Sequence, residues 1–276
     1  MGIYIGTQGF PLTTRGKGIS ISMHRLSELG LNALELDFVH GIYLDEEEIN
    51  SIAYIARENG IRLSIHAPYY INLCSEDKGV LERSKRRILA CARVADVIGA
   101  DIIAVHTAFY GRYSKEQAYD IIRDNYQDII DVMNSTGIDV TLGAETMARN
   151  TQFGTLDELL RLYKDLNGHV KPYIDFAHMF IRNNGKVDYG YILDTLIAYG
   201  IRHINSHFTG ITKKGYRYVD KHTPIGIPPF EPLALDILRR NISITIICES
   251  PLLELDALRM RSMIEFIGME IDEESS

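Results

Sequence analysis

Residues 102–108 read IIAVHTA: an apolar, largely β-branched run of strand length that ends in a histidine, His106. The same arrangement recurs in LSIHAPY (63–69), VTLGAET (140–146), YIDFAH (173–178), INSHF (204–208) and ITIICES (244–250). In each, a metal-ligand type of side chain stands at or just past the end of an apolar run. One such residue would mean little. Several in successive units imply one site assembled from many strand ends. A parallel barrel provides that geometry, because all of its strands point their C-terminal ends at one face.

Strand-length runs fall at 3–9, 33–38, 63–68, 102–107, 140–145, 173–177, 203–208 and 244–249. Segments of helical spacing lie between them at 45–58, 115–134, 155–166, 187–199, 230–239 and 254–267. In a further one, Leu81, Ile88, Ala92, Ala95 and Ile98 share a face. Gly60, Gly99, Gly137 and Gly200 stand where helices should stop. Consecutive parallel strands need crossover helices, so eight such units read as an α/β protein with a single (β/α)8 TIM barrel over 1–270. The acidic end, 271–276, reads as a frayed tail. The alternative, an open doubly wound sheet, usually carries a Gly-rich phosphate loop after its first strand. The stretch GTQGFPLTTRGKGIS (6–20) lacks the third glycine of that loop.

Bulk composition agrees. The chain has 276 residues, 46% hydrophobic and 24% charged, close to the roughly 250 residues of a typical barrel of this kind. A net charge of −8 argues against a protein coated with nucleic acid but leaves room for a local basic rim. Cys74, Cys91 and Cys248 form no C-x-x-C pair, which suits a reducing, cytoplasmic setting. The N-terminus does not read as a signal peptide, and no apolar run approaches the ~20 residues of a membrane span.

The candidate ligands are His66, His106, Glu145, Asp175, His178, His207, Asp220, His222 and Glu249. Glu145 and Glu249 end very apolar strands that bring no basic residue of their own, so each needs a cation or a dense set of hydrogen bonds. Asp175 and His178 are three apart and would face opposite sides of a strand, so they converge only if His178 lies on the loop beyond it. Asp220 and His222, two apart, share one side of an extended segment. One ion takes about four to six ligands, so nine suggest more than one ion. The mixture of imidazole and carboxylate without thiolate favours Zn2+ or Mn2+. Other templates are missing: there is no G-x-S-x-G elbow, P-loop or H-E-x-x-H helix.

At these residues the chain resembles the endonuclease IV family of apurinic/apyrimidinic DNA endonucleases, particularly its shorter archaeal-type members. The resemblance runs over nearly the whole chain. It is most specific in HAPYYINL (66–73), IDFAH (174–178), HFTGI (207–211), DKHTPIG (220–226) and CESP (248–251). It implies about three Zn2+ per chain, with Mn2+ an alternative at one position. His66, His106 and Glu145 would hold one ion. Glu145, Asp175, His207 and Glu249 would hold a second, with Glu145 bridging. His178, Asp220 and His222 would hold the third. It further implies a monomeric DNA-repair hydrolase acting on double-stranded DNA that contains abasic sites. Such an enzyme cleaves the phosphodiester 5′ to the lesion with a metal-bound hydroxide, and Glu145 would orient the attacking water.

On the DNA side, Tyr69 and Tyr70 follow His66 where the family places residues that enter the damaged duplex. Arg112, Arg182, Lys186, Lys213, Lys214, Arg217 and Lys221 fall on expected top-face loops, a mix suited to backbone phosphates. The loop after the second strand, DFVHGIYL (37–44), departs from the family in offering His40 where some members insert an arginine. The competing reading is a single-metal sugar isomerase or epimerase of the xylose-isomerase-like barrels, which would need only Glu145, Asp175, His207 and Glu249. The other five ligands favour the nuclease.

Overall fold

In the computed structural model, residues 2–274 are described. Seven barrel strands follow one another as β1 (Ile3–Gln8), β2 (Ala33–Asp37), β3 (Arg62–His66), β4 (Ile102–Val105), β5 (Thr141–Glu145), β6 (Val170–Asp175) and β7 (Ile204–Phe208). An antiparallel hairpin, β8 (Gly210–Lys214) and β9 (Arg217–Thr223), then interrupts the repeat before β10 (Ile244–Cys248). The closed order is β1-β10-β7-β6-β5-β4-β3-β2, with every barrel neighbour parallel. All eight expected strands are therefore present, in chain order around the barrel.

The crossovers are α1 (Ile19–Glu28), α2 (Glu46–Asn59), α3 (Lys78–Ile98), α4 (Lys115–Thr136), α5 (Leu156–Asp165), α6 (Phe176–Arg182) with α7 (Tyr189–Ala198), α8 (Glu231–Arg239) and α9 (Glu254–Glu274). Their starts are written in sequence. Asp45 with Glu48, Ser114 with Gln117 and Thr155 with Glu158 each form a reciprocal capping box. Helix α3 stops where Gly99 adopts φ 68°, a conformation that frees the last carbonyls to bond at little steric cost. Helix α9 continues to Glu274, through most of the segment expected as an acidic tail; Ser275 and Ser276 lie outside the described residues.

Strand alternation sorts the side chains. Leu34, Leu63, Ile65, Ile103, Val105, Leu142, Ala144, Ile174, Ile204, Ile244 and Ile246 point outward into the main core against the helices. The alternate positions point into the barrel, where Ile102, Ala104 and Tyr173 form a small separate cluster. The same inward register, continued toward the C-terminal ends, places Glu35, His66, Glu145, Asp175 and His207 inside the barrel mouth. All five are buried. Among the described residues, no helix is long and apolar enough to cross a membrane.

Candidate metal centre

Glu145 sits at the centre of the cluster. Its Oε2 lies 3.6 Å from His66 Nε2 and 3.1 Å from His106 Nε2. Its Oε1 lies 3.2 Å from His178 Nδ1 and 3.4 Å from His207 Nδ1. Glu249 Oε1 is 3.6 Å from the same His207 nitrogen, and its Oε2 is 3.8 Å from His222 Nε2. Asp220 faces His178 Nε2 at 3.3 Å and His222 Nε2 at 3.6 Å. With Asp175 Oδ2 3.3 Å from His178 Nδ1, all nine residues expected as ligands converge on one mouth, including the pair carried by β9.

The local structure explains two of these placements. Asp175 ends β6 and also caps α6, its Oδ1 accepting from the His178 backbone N–H at 2.7 Å. His178 therefore lies in the first helical turn rather than on a loop, and that turn swings it back beside Asp175. The hairpin is fastened to α6 by an apolar cluster of Ala177, Phe180 and Ile211, with Tyr218 edge-on to Phe180 at 4.8 Å. This contact holds Asp220 and His222 over the mouth.

Hydrogen bonds fix how the histidines are protonated. A carbonyl only accepts, so Nδ1 of His66, His178 and His222 must donate, to Ala67 O (2.8 Å), Thr146 O (2.9 Å) and Glu249 O (3.1 Å). His207 is reversed: Nε2 donates to Glu35 Oε1 at 2.7 Å. In the neutral ring the other nitrogen then presents a lone pair to carboxylate oxygens, acceptor against acceptor. A cation between them removes the conflict. Two atoms bound to one tetrahedral zinc at about 2.0–2.1 Å lie about 3.3–3.4 Å apart, against about 2.9–3.0 Å for an N–H···O bond. The facing pairs of these four histidines, at 3.3–3.8 Å, match the first spacing better than the second. Glu145 Oε2 and Asp175 Oδ2 are also buried without a hydrogen-bond partner. The donor set fits divalent metal ions.

Burial opposes charge throughout, and the neighbours decide the outcome. At Glu145 the nearby His106 and His207 outweigh burial and hold the carboxyl well below its usual range. At Asp175 and Glu249 burial wins and pushes the carboxyls up. Burial lowers His106, whereas at His178 and His207 the surrounding carboxylates overcome it and hold both well above the ordinary imidazole range. His222 also rises against burial, to about 9, chiefly through Asp220. Protons on histidine and divalent cations are thus two alternative ways of compensating one set of carboxylates.

The expected DNA-facing residues divide. Tyr69 packs edge-on to His66 at 5.2 Å and, with Lys221, lines a cavity of about 370 Å³ over the cluster. Tyr70 is exposed beside Arg87 and His40. Arg182 does not reach out for phosphate: on α6, it donates to the carbonyls of Met147, Arg149 and Gln152 and so braces the loop after β5. Arg112 pairs with Glu76 at 2.7 Å. Lys213, Lys214 and Arg217 lie on the hairpin instead of a loop, with Lys213 over the Tyr218 ring. The sequence reading missed Phe109, Arg149 and Gln152, which also line the cavity, and Glu35 beneath it. The three cysteines are buried free thiols whose pKa burial pushes up, to about 11 for Cys74 and about 12 for Cys91 and Cys248.

Comparison with known proteins places this geometry. Residues 23–267 match the model of the xylose isomerase-like TIM barrel family. An uncharacterised protein of Methanocaldococcus jannaschii is 33% identical over 270 residues, covering 93% of this chain and 94% of its own. Among solved structures, a D-tagatose 3-epimerase-like protein superposes with a TM-score of 0.75 at 17% identity, over 100% of both chains. Endonuclease IV from Thermus thermophilus superposes with a TM-score of 0.70 at 20% identity, over 96% of this chain and 98% of that one. Structural likeness at such identity speaks to the fold alone, whereas the family model matches most of the sequence: the chain belongs to the xylose isomerase-like TIM barrel family.

Proposed function

We propose that this protein is a metal-dependent endonuclease that hydrolyses the phosphodiester 5′ to abasic sites in double-stranded DNA, leaving a 3′-hydroxyl. One observation carries the reading. Beyond Glu145, Asp175, His207 and Glu249, which suffice for one ion, the mouth holds His66 and His106 on one side and His178, Asp220 and His222 on the other. Charge points the same way. Five carboxylates (Glu35, Glu145, Asp175, Asp220 and Glu249) face or bond these histidines. One divalent ion would leave the set strongly negative, while three would give it the sign that draws in a phosphodiester.

Bound ions supply a water acidified toward neutral pKa and positive charge against the phosphate. The chain's own residues do the rest. Glu145, shared by two ligand groups, orients the attacking water. Lys221 and Arg149 at the cavity wall hold flanking phosphates, and Tyr69 and Phe109, both partly exposed there, offer faces for bases next to the lesion. The barrel is shared with endonuclease IV from Thermus thermophilus and equally with the epimerase-like protein, so the ligand set and not the fold carries this reading. The second reading, a sugar isomerase or epimerase, draws on the four-residue set and on the epimerase-like neighbour.

The test is incision of a duplex carrying one abasic-site analogue by zinc-loaded protein. The expected result is a 5′-side cut with a 3′-hydroxyl product, lost in both His66→Ala and His178→Ala. Absence of incision, together with one tightly held ion and turnover of a ketose, would establish the isomerase instead.

A further inference from the structure

Glu35 lies in the middle of β2, fully buried, and forms no salt bridge to Lys or Arg among the described residues. Three donors converge on it. His207 Nε2–H reaches Oε1 at 2.7 Å, while the Ser64 and Tyr173 hydroxyls each reach Oε2 at 2.9 Å. The carboxylate is therefore satisfied by groups on β3, β6 and β7 that all point into the barrel. Tyr173 also packs against the His207 ring, with centroids 4.5 Å apart. Bond and ring contact together leave His207 a single orientation. Nε2 is committed to Glu35, and Nδ1 is aimed at Glu145 Oε1 (3.4 Å) and Glu249 Oε1 (3.6 Å).

We propose that Glu35 is a positioning residue of the metal centre: through the Ser64–Tyr173–Glu35–His207 network it fixes His207 as an Nδ1 ligand and strengthens that nitrogen as a donor, making the ion position between Glu145, His207 and Glu249 the tightest. A carboxylate accepting the far N–H of a ligating imidazole locks the tautomer and raises ligand basicity, and losing such a partner typically costs about 10–100-fold in metal affinity. Glu35 does not form a separate ion site with His207, because the 2.7 Å separation is a hydrogen bond and leaves no room for a cation. The inference rests on the metal centre and not on the nuclease reading, so its test measures metal and not DNA.

The experiment is competition for Zn2+ between the folded, metal-free protein and a chromophoric chelator, for wild type, Glu35→Gln and Glu35→Ala. The tightest class of site should weaken about 10–100-fold in Glu35→Ala while the remaining sites hold. Glu35→Gln, whose amide carbonyl still accepts from Nε2–H without a charge, should fall between. A second readout follows the visible spectrum of the Co2+-loaded protein, which should change in Glu35→Ala as the imidazole loses its anchor. If Glu35→Ala fails to fold, Glu35→Gln decides alone: several-fold weaker tight-site binding upholds the proposal, and wild-type affinity overturns it. A lower melting temperature in the metal-free variants with unchanged zinc affinity and cobalt spectrum would make Glu35 a packing residue, and the proposal would fall.

Discussion

Glu145→Gln is the substitution that tests the centre most directly. Glutamine keeps the shape of the side chain, but one of its two terminal atoms becomes an amide nitrogen that cannot ligate a cation. Oε1 and Oε2 serve different histidines, so either orientation of the amide removes an oxygen from one ligand group and the negative charge from both. An ion present at 100 times its dissociation constant stabilises the folded state by about 2.7 kcal/mol. For 276 residues, an unfolding entropy of about 2.1 cal/mol/K per residue gives about 0.6 kcal/mol/K, so each such ion raises Tm by about 5 °C. Two ions sharing Glu145 should therefore raise the wild-type Tm by about 9 °C over the chelated protein. In Glu145→Gln the gain should drop by half or more. Calorimetry with and without chelator gives the shift, and plasma emission gives the ion count. Equal counts and equal shifts in the two proteins would refute the shared-carboxylate arrangement.

Two further outcomes are expected. His203, hydrogen-bonded to Ser243 and Thr245, is held at about 4 by burial and by the nearby Arg62 and Lys171. Between about 4 and 6.5 the unfolded chain binds a proton that the folded chain does not, so this group's contribution to stability is present above 6.5 and is lost as pH falls through 4. Denaturant midpoints of wild type and His203→Gln across that window should show a shallower pH slope in the variant, and parallel slopes would contradict the assignment. Gly6→Ala should be severe, because a Cβ there would stand 1.9 Å from the Ala33 carbonyl oxygen on the neighbouring strand. Relief requires parting β1 from β2, at a cost above about 4 kcal/mol, and soluble protein with a wild-type Tm would show that the barrel tolerates it.

Much of this molecule is legible in its sequence because the barrel repeats one simple pattern. Strands buried on both faces read as apolar runs, so His66, His106, Glu145, Asp175, His207 and Glu249 stand out at their ends. Glu35 obeys the same rule but sits inside its run, in ALELD (33–37), where it reads as ordinary alternation. Only the closed barrel shows that its side chain points inward beneath His207. The segment 210–223 reads as a basic loop because its strands are mostly exposed and lack the two-residue alternation of a half-buried strand, and their pairing is irregular at Ile211/Thr212. Helix α6 is only seven residues long, and α1 begins after Gly18 with no side-chain cap to announce its start. Arg182 shows the limit for basic residues: its charge is plain in sequence, but the carbonyls that occupy it come from a loop some thirty positions away.

The hairpin gives the centre two tempos. His66, His106, Glu145 and His207 are carried on or just beyond barrel strands, whose opening is tied to that of the whole fold. Asp220 and His222 ride on a two-stranded excursion with half-exposed edges, fastened mainly through Phe180, Tyr218 and their neighbours. Local opening of such a unit takes less free energy than global unfolding. A cation held by His178, Asp220 and His222 should therefore exchange with the surrounding solution faster than those deeper in the barrel. In a cell, the occupant of the outer position would follow a change in metal supply sooner than the occupants of the inner ones.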